Sequence, residues 1–85
     1  MRYYFNFQNG ATFFDNEGTV CQTFEDAKTV ALQCSFEILP GPKTDAFWSG
    51  KPWRLWVTDQ PNGGGRTVLT LTFGAHSRHS VGGHR

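Results

Sequence analysis

The chain has 85 residues, of which 38% are hydrophobic and 15% aromatic, and a net charge of +1. That length bounds it to one domain, and a near-neutral balance with acids and bases interspersed favours neither electrostatic steering to nucleic acid nor adsorption to an anionic membrane. No apolar run approaches the length of a membrane span, and "MRYYFNFQNG" reaches asparagine and a turn before any stretch like a signal peptide, so a cytoplasmic protein with no membrane partner is expected.

A domain this small buries only ~60–65% of the surface its unfolded chain exposes, so the core must be rich in large side chains. Eight Phe, three Trp and two Tyr meet that need, each aromatic bringing ~150–250 Å² of burial. Their abundance is first a matter of stability.

In chain order, "RYYFNFQ" alternates, with Tyr3, Phe5 and Phe7 on one side and Arg2, Tyr4, Asn6 and Gln8 on the other. Period two predicts a half-buried strand. Asn9-Gly10 predicts a type I′ turn and "ATFFD" the return strand, closed by Asn16-Glu17-Gly18, so residues 2–21 read as an extended hairpin. The period then changes. Thr23 is a good N-cap, Glu25 and Asp26 suit the positive end of a helix, and Ala27, Val30, Ala31, Cys34 and Ile38 recur at helical spacing. Pro40-Gly41-Pro42 predicts the stop. The small residues Ala27, Ala31 and Cys34 predict close approach to a bulky sheet face, and Leu32, Phe36 and Leu39 predict cover along a flank. Phe47 and Trp48 fall in a loop, where aromatics usually pack against the fold; a recognition role for the pair is the weaker alternative.

"PWRLWVTD" and "RTVLTLTF" alternate again and enclose "QPNGGG". A phosphate-binding glycine loop needs a helix after its glycines so that amide N–H groups converge on the anion. A strand follows here, so Gly63-Gly64-Gly65 reads as a mobile hairpin turn. The order is ββαββ, an α+β fold of two layers with one helix on one face of an antiparallel sheet. Residues 1–73 form the domain, and 74–85 read as a disordered tail.

No catalytic constellation is evident. His76, His79 and His84 all lie in the tail, the carboxylates have capping or solvation roles, and Cys21 and Cys34 have no metal or redox spacing and are expected to be thiols. No enzyme, cofactor or metal is expected. The sheet face opposite the helix is more informative. Arg2, Tyr4, Arg54, Trp56 and Val68 are expected there, with Tyr4, Trp56 and Val68 as an apolar island rimmed by arginine, beside the polar Asn6, Gln8, Thr58, Thr70 and Thr72. Trp, Tyr and Arg are enriched at binding hot spots. A homodimer or another protein partner fits this face; single-stranded nucleic acid stacking on Tyr4 and Trp56 is disfavoured by the charge.

Arg2-Tyr3-Tyr4-Phe5, Gly10, Asp15-Asn16-Glu17-Gly18 and the helix from Phe24 resemble the pattern of a family of short uncharacterised bacterial proteins, and "LWVTD…RTVLTLTF" looks like its closing hairpin. The resemblance covers about residues 1–73. It implies a cytosolic bacterial domain with no catalytic residues. Thr23, Val20 and the longer loops at 40–51 and 60–65 depart from the pattern. A weaker likeness of topology runs to the HicB-type antitoxin domain, which implies a small toxin partner and dimerisation; the separate DNA-binding element that many such proteins carry is not expected in these 85 residues.

Overall fold

A computed structural model describes residues 1–38 and 45–76. Strands precede and follow one long helix, as the alternating and helical periods require, and the strands form a single antiparallel sheet. Strand β1 (Arg2–Gln8) turns Tyr3 and Phe7 into the core. Its outer partner differs from the expected single return strand. Two short strands, β2 (Thr12–Phe13) and β3 (Thr19–Val20), lie end to end along the same edge of β1, pairing Phe7 with Phe13 and Arg2 with Val20. The turn also differs. Type I′ needs positive φ at both central residues, whereas Gly10 has φ +102° and Asn9 does not share that region. A three-residue connection results, closed by Asn9 N donating to the Ala11 carbonyl at 3.0 Å.

Helix α1 (Phe24–Ile38) begins where the sequence placed its cap: Thr23 Oγ1 accepts from Asp26 N at 3.1 Å. Its buried stripe is Ala27, Ala31 and Ser35. Ser35, not Cys34, is the third small contact, and its hydroxyl donates to the Ala31 carbonyl at 2.8 Å. A hydroxyl satisfied within its own helix can be buried at little cost. Cys34 packs beside the core, half-buried. The cover expected over Leu32 and Phe36 is not provided by the described residues, as both are exposed. Leu39 and the Pro40-Gly41-Pro42 stop lie outside the described residues.

Beyond α1, Phe47 and Trp48 belong to a short helix, α2 (Asp45–Trp48), instead of a loop. Phe47 seats its ring 5.3 Å from that of Trp53, so it plugs the end of the sheet as expected; Trp48 stays exposed. Strand β4 (Trp53–Thr58) is the centre of the fold, paired with β1 on one side and with β5 (Thr67–Phe73) on the other. The sheet order is β2-β1-β4-β5, with β3 also on β1. Trp53, Leu55 and Val57 are buried to within 2% and meet Tyr3, Phe7, Cys21, Ala27 and Ala31 in the core.

One irregularity moves a residue expected on the open face. Val57 pairs with Leu69 but Thr58 pairs with Thr67, so Val68 is an extra residue in β5. A bulge of this kind sets two neighbours against one and suspends strict alternation. Val68 accordingly packs against the core cluster and not with Tyr4 and Trp56.

Candidate interaction surface

On the face away from α1, the register places Gln8, Arg54 and Thr72 in one row, Asn6, Trp56 and Thr70 in the next, and Tyr4 and Thr58 in the third. Two of these positions are closed. Asn6 and Thr58 are both 0% exposed, which requires that every polar atom find a partner. The Asn6 amide nitrogen donates to Thr58 Oγ1 at 3.1 Å, to the Trp56 carbonyl at 3.2 Å and, more weakly, to the Tyr4 carbonyl at 3.4 Å. Its carbonyl oxygen accepts from Asp15 N at 3.0 Å. Thr58 Oγ1 passes its own proton to the Gln60 carbonyl at 2.9 Å.

The cover is the segment between β2 and β3. Asp15 Oδ2 accepts from Phe5 N at 3.0 Å, standing in for a missing strand partner at the middle of β1. Asp15 Oδ1 accepts from Glu17 N and Gly18 N, each at 3.0 Å, in the manner of an Asx turn. Gly18 takes φ +75° and lies so close to the Arg2 stem, the Tyr4 ring and the Tyr3 carbonyl that a Cβ would come within 2.9 Å of all three. On the other side of Asp15, the Phe14 ring meets Trp56 edge-on at 6.1 Å. Phe14 also lies over Gly63, where a Cβ would come within 2.6 Å of the ring, and Asn62 N donates to the Asp15 carbonyl at 2.9 Å. The glycines lie in a hairpin turn between β4 and β5, as the sequence suggests, and Gly63 allows the close approach of Phe14.

Partial burial by itself raises the Asp15 carboxyl, but the N–H donors of Gly18, Phe5 and Glu17 outweigh it and hold the group below its ordinary value of 3.8. Because the folded value is the lower one, the contribution to stability is complete above the unfolded carboxylate range and is lost as pH falls through the folded value. Asp15→Asn should cost about 1–2 kcal/mol at neutral pH, at the low end for charge-assisted bonds because the site is half-exposed. Urea midpoints measured from pH 7 down to pH 2 should show a smaller acid-side decline for Asp15→Asn than for wild type. Parallel curves would remove this role for the carboxylate.

The segment from Phe14 to Gly18 thus divides the expected island. Tyr4 lies on one side of Asp15 against Gly18, and Arg2 donates from Nη1 to the Glu17 carbonyl at 2.8 Å, so Arg2 and Tyr4 hold the turn. Trp56 lies on the other side, half-buried, with the Arg54 guanidinium 4.7 Å above its ring. Around that pair Gln8, Thr70 and Thr72 are exposed. The strip still open on this face is therefore Arg54 and Trp56 with a polar border. Of the predicted residues, the structure brings together Arg54 and Trp56; it sets Arg2 and Tyr4 apart, Val68 on the core, and Phe47 with Trp48 beyond Trp53. The role of Phe14 was not anticipated; the signal available was a second aromatic immediately before Asp15.

The chain matches over residues 2–74 the model of a family described as a domain of unknown function (DUF6894). It belongs to that family. The DUF6894 match runs from the first residue of β1 to one residue past β5, so the Asp15 turn, α1 and the Arg54–Trp56 strip all fall within it. No curated protein and no solved structure matches the chain.

Elsewhere, Cys21 and Cys34 are free thiols. Burial first, and then the Glu37 and Asp15 carboxylates, push the Cys34 thiol above its ordinary value, which disfavours the thiolate that nucleophilic chemistry needs. Among the described residues no three His, Cys, Asp or Glu side chains stand together as metal ligands, and no helix is long and apolar enough to cross a membrane. His79 and His84 lie outside the described residues.

Proposed function

We propose that this DUF6894 chain is a small non-enzymatic interaction domain, acting in the bacterial cytoplasm, whose contact surface is the open strip of the sheet around Arg54 and Trp56. The observation that carries the reading is the guanidinium stacked 4.7 Å over the Trp56 ring on a face the helix does not cover. Stacking holds the Arg54 guanidinium in place while its N–H donors meet no acceptor among the described residues, and such pre-ordered Arg–aromatic pairs supply affinity at low entropic cost. The partner is a second copy of the chain or another protein. Asp15, the carboxylate with a shifted protonation equilibrium, is already occupied by its three N–H bonds, and the reading assigns no catalytic residue.

Single-stranded nucleic acid is the less supported reading. Arg54 covers the Trp56 face, and the Phe14–Gly18 segment separates Trp56 from Tyr4, so consecutive bases would find no continuous platform. A photoreactive amino acid at Thr72, next to Arg54 in the register, tests the proposal in cells. Adducts to protein are expected from Thr72 and not from Gln33, an exposed position on α1.

A further inference from the structure

The two edges of the sheet are built differently. On the β1 side, two-residue strands and the Asp15 turn break up the edge and satisfy Phe5 N. Interrupted edges resist pairing with another chain. The opposite edge is β5, seven residues long, with neither a charge nor a proline from Thr67 to Phe73.

Hydrogen-bond parity says which groups β5 presents. The Phe5 N–H points away from β4, into the Asp15 carboxylate. Phe5 and Val57 are therefore a non-hydrogen-bonded pair, and the backbone groups of Val57, Leu55 and Trp53 point toward β5, since orientation alternates along an antiparallel strand. Asp59 N, two residues beyond Val57, donates to the Arg66 carbonyl at 3.1 Å and agrees with this phase. Leu69, Leu71 and Phe73 then bond inward to β4, while the N–H and C=O groups of Thr70 and Thr72 face outward. On the helix side of the same strand Leu69, Leu71 and Phe73 are only half-buried, although Val57, Leu55 and Trp53 beside them are fully covered.

We propose that the β5 edge pairs antiparallel with β5 of a second copy, about a two-fold axis at Thr70, to make one continuous sheet across a homodimer. Thr70 is the midpoint of Thr67–Phe73. Pairing there sets Thr70 against itself in an outward-bonding pair, and Leu69 against Leu71 of the other copy in the adjacent non-hydrogen-bonded pair, where side chains approach most closely. The half-covered leucines of each copy thereby cover those of the other. A two-fold interface must be self-complementary, and this one brings no like charges together because the strand has none. The Val68 bulge limits the pairing toward the Thr67 end. The inference goes beyond the interaction reading, since it places self-association on the β5 edge and leaves the Arg54–Trp56 strip to another protein.

Sedimentation equilibrium over a wide concentration range tests it, with circular dichroism to verify folding. Wild type should approach twice the 9.6 kDa chain mass. Thr70→Lys places two ammonium groups on the axis, and Thr70→Pro removes an N–H that points away from β4 and has no partner among the described residues. Both should remain folded and raise the dissociation constant roughly tenfold or more, while Trp56→Glu should remain a dimer. The proposal is overturned by a wild type that stays at single-chain mass, or by a dimer that neither Thr70 variant weakens. A dimer broken by Trp56→Glu alone also overturns it and assigns self-association to the Arg54–Trp56 strip. A single-chain wild type that still forms Thr72 adducts with another protein overturns the edge pairing and leaves the interaction reading standing.

Discussion

Asn6→Asp should destabilise the fold by roughly 3–5 kcal/mol, a large part of the ~5–10 kcal/mol expected for a domain of this length. The substitution keeps the oxygen that accepts from Asp15 N but exchanges a buried NH2 for a second oxygen. That oxygen would face the Trp56 carbonyl and Thr58 Oγ1, which now receive protons at 3.2 and 3.1 Å. Thr58 cannot easily turn its hydroxyl to help, because it already donates to the Gln60 carbonyl. The carboxylate would be left unpaired at a position with 0% exposure; protonation is its escape, so the loss should shrink on mild acidification before Asp15 itself titrates. Urea denaturation at pH 7 and pH 5 measures both effects. A cost below about 1 kcal/mol at pH 7 would mean that Asn6 is reached by water.

Trp53→Ala should cost roughly 3–5 kcal/mol by removing the largest buried side chain and leaving a cavity. Trp53 is 2% exposed, with Phe7 edge-on at 5.6 Å and Phe47 tilted at 5.3 Å. It joins β1, β4 and α2, so its loss should free the Phe47–Trp48 pair as well as weaken the sheet. Trp53→Phe, which keeps an aromatic ring there, should cost less than half as much. Denaturant midpoints for the two variants, read beside Phe47→Ala, check the order. If Phe47→Ala is silent, α2 does not contribute to the core through Trp53.

The period-two runs were legible because both flanking strands put their large apolar residues on one side, and the helix start was legible because Thr23 and Asp26 form a local cap. Side-chain alternation also assigned Asn6 and Thr58 to the second face correctly. It could not reveal that this face is partly roofed, since the roof depends on a contact between Asp15 and β1 ten residues away. A physical hint existed: asparagine between Phe5 and Phe7 is a poor strand residue unless its amide is bonded. Val68 was misplaced because a bulge adds a residue without any mark in a run of β-branched and leucine residues. Ser35 was missed for a related reason, as its hydroxyl is satisfied inside the helix and behaves as a small side chain. Leu32 and Phe36 had the period of a buried flank, but period fixes which residues share a side, and not what lies opposite.

The reading of this domain as a contact module centred on Arg54 and Trp56 is tested most directly by the yield of Thr72 photo-adducts in cells, compared between the wild-type background and a folded Trp56→Glu background. The account predicts, in the first, an adduct to another protein, distinct in mass from the covalent dimer that β5 edge pairing gives, that is lost in the second, with none from Gln33 in either. Adducts to another protein of equal yield from Thr72 and Gln33, or one from Thr72 indifferent to Trp56→Glu, would contradict it.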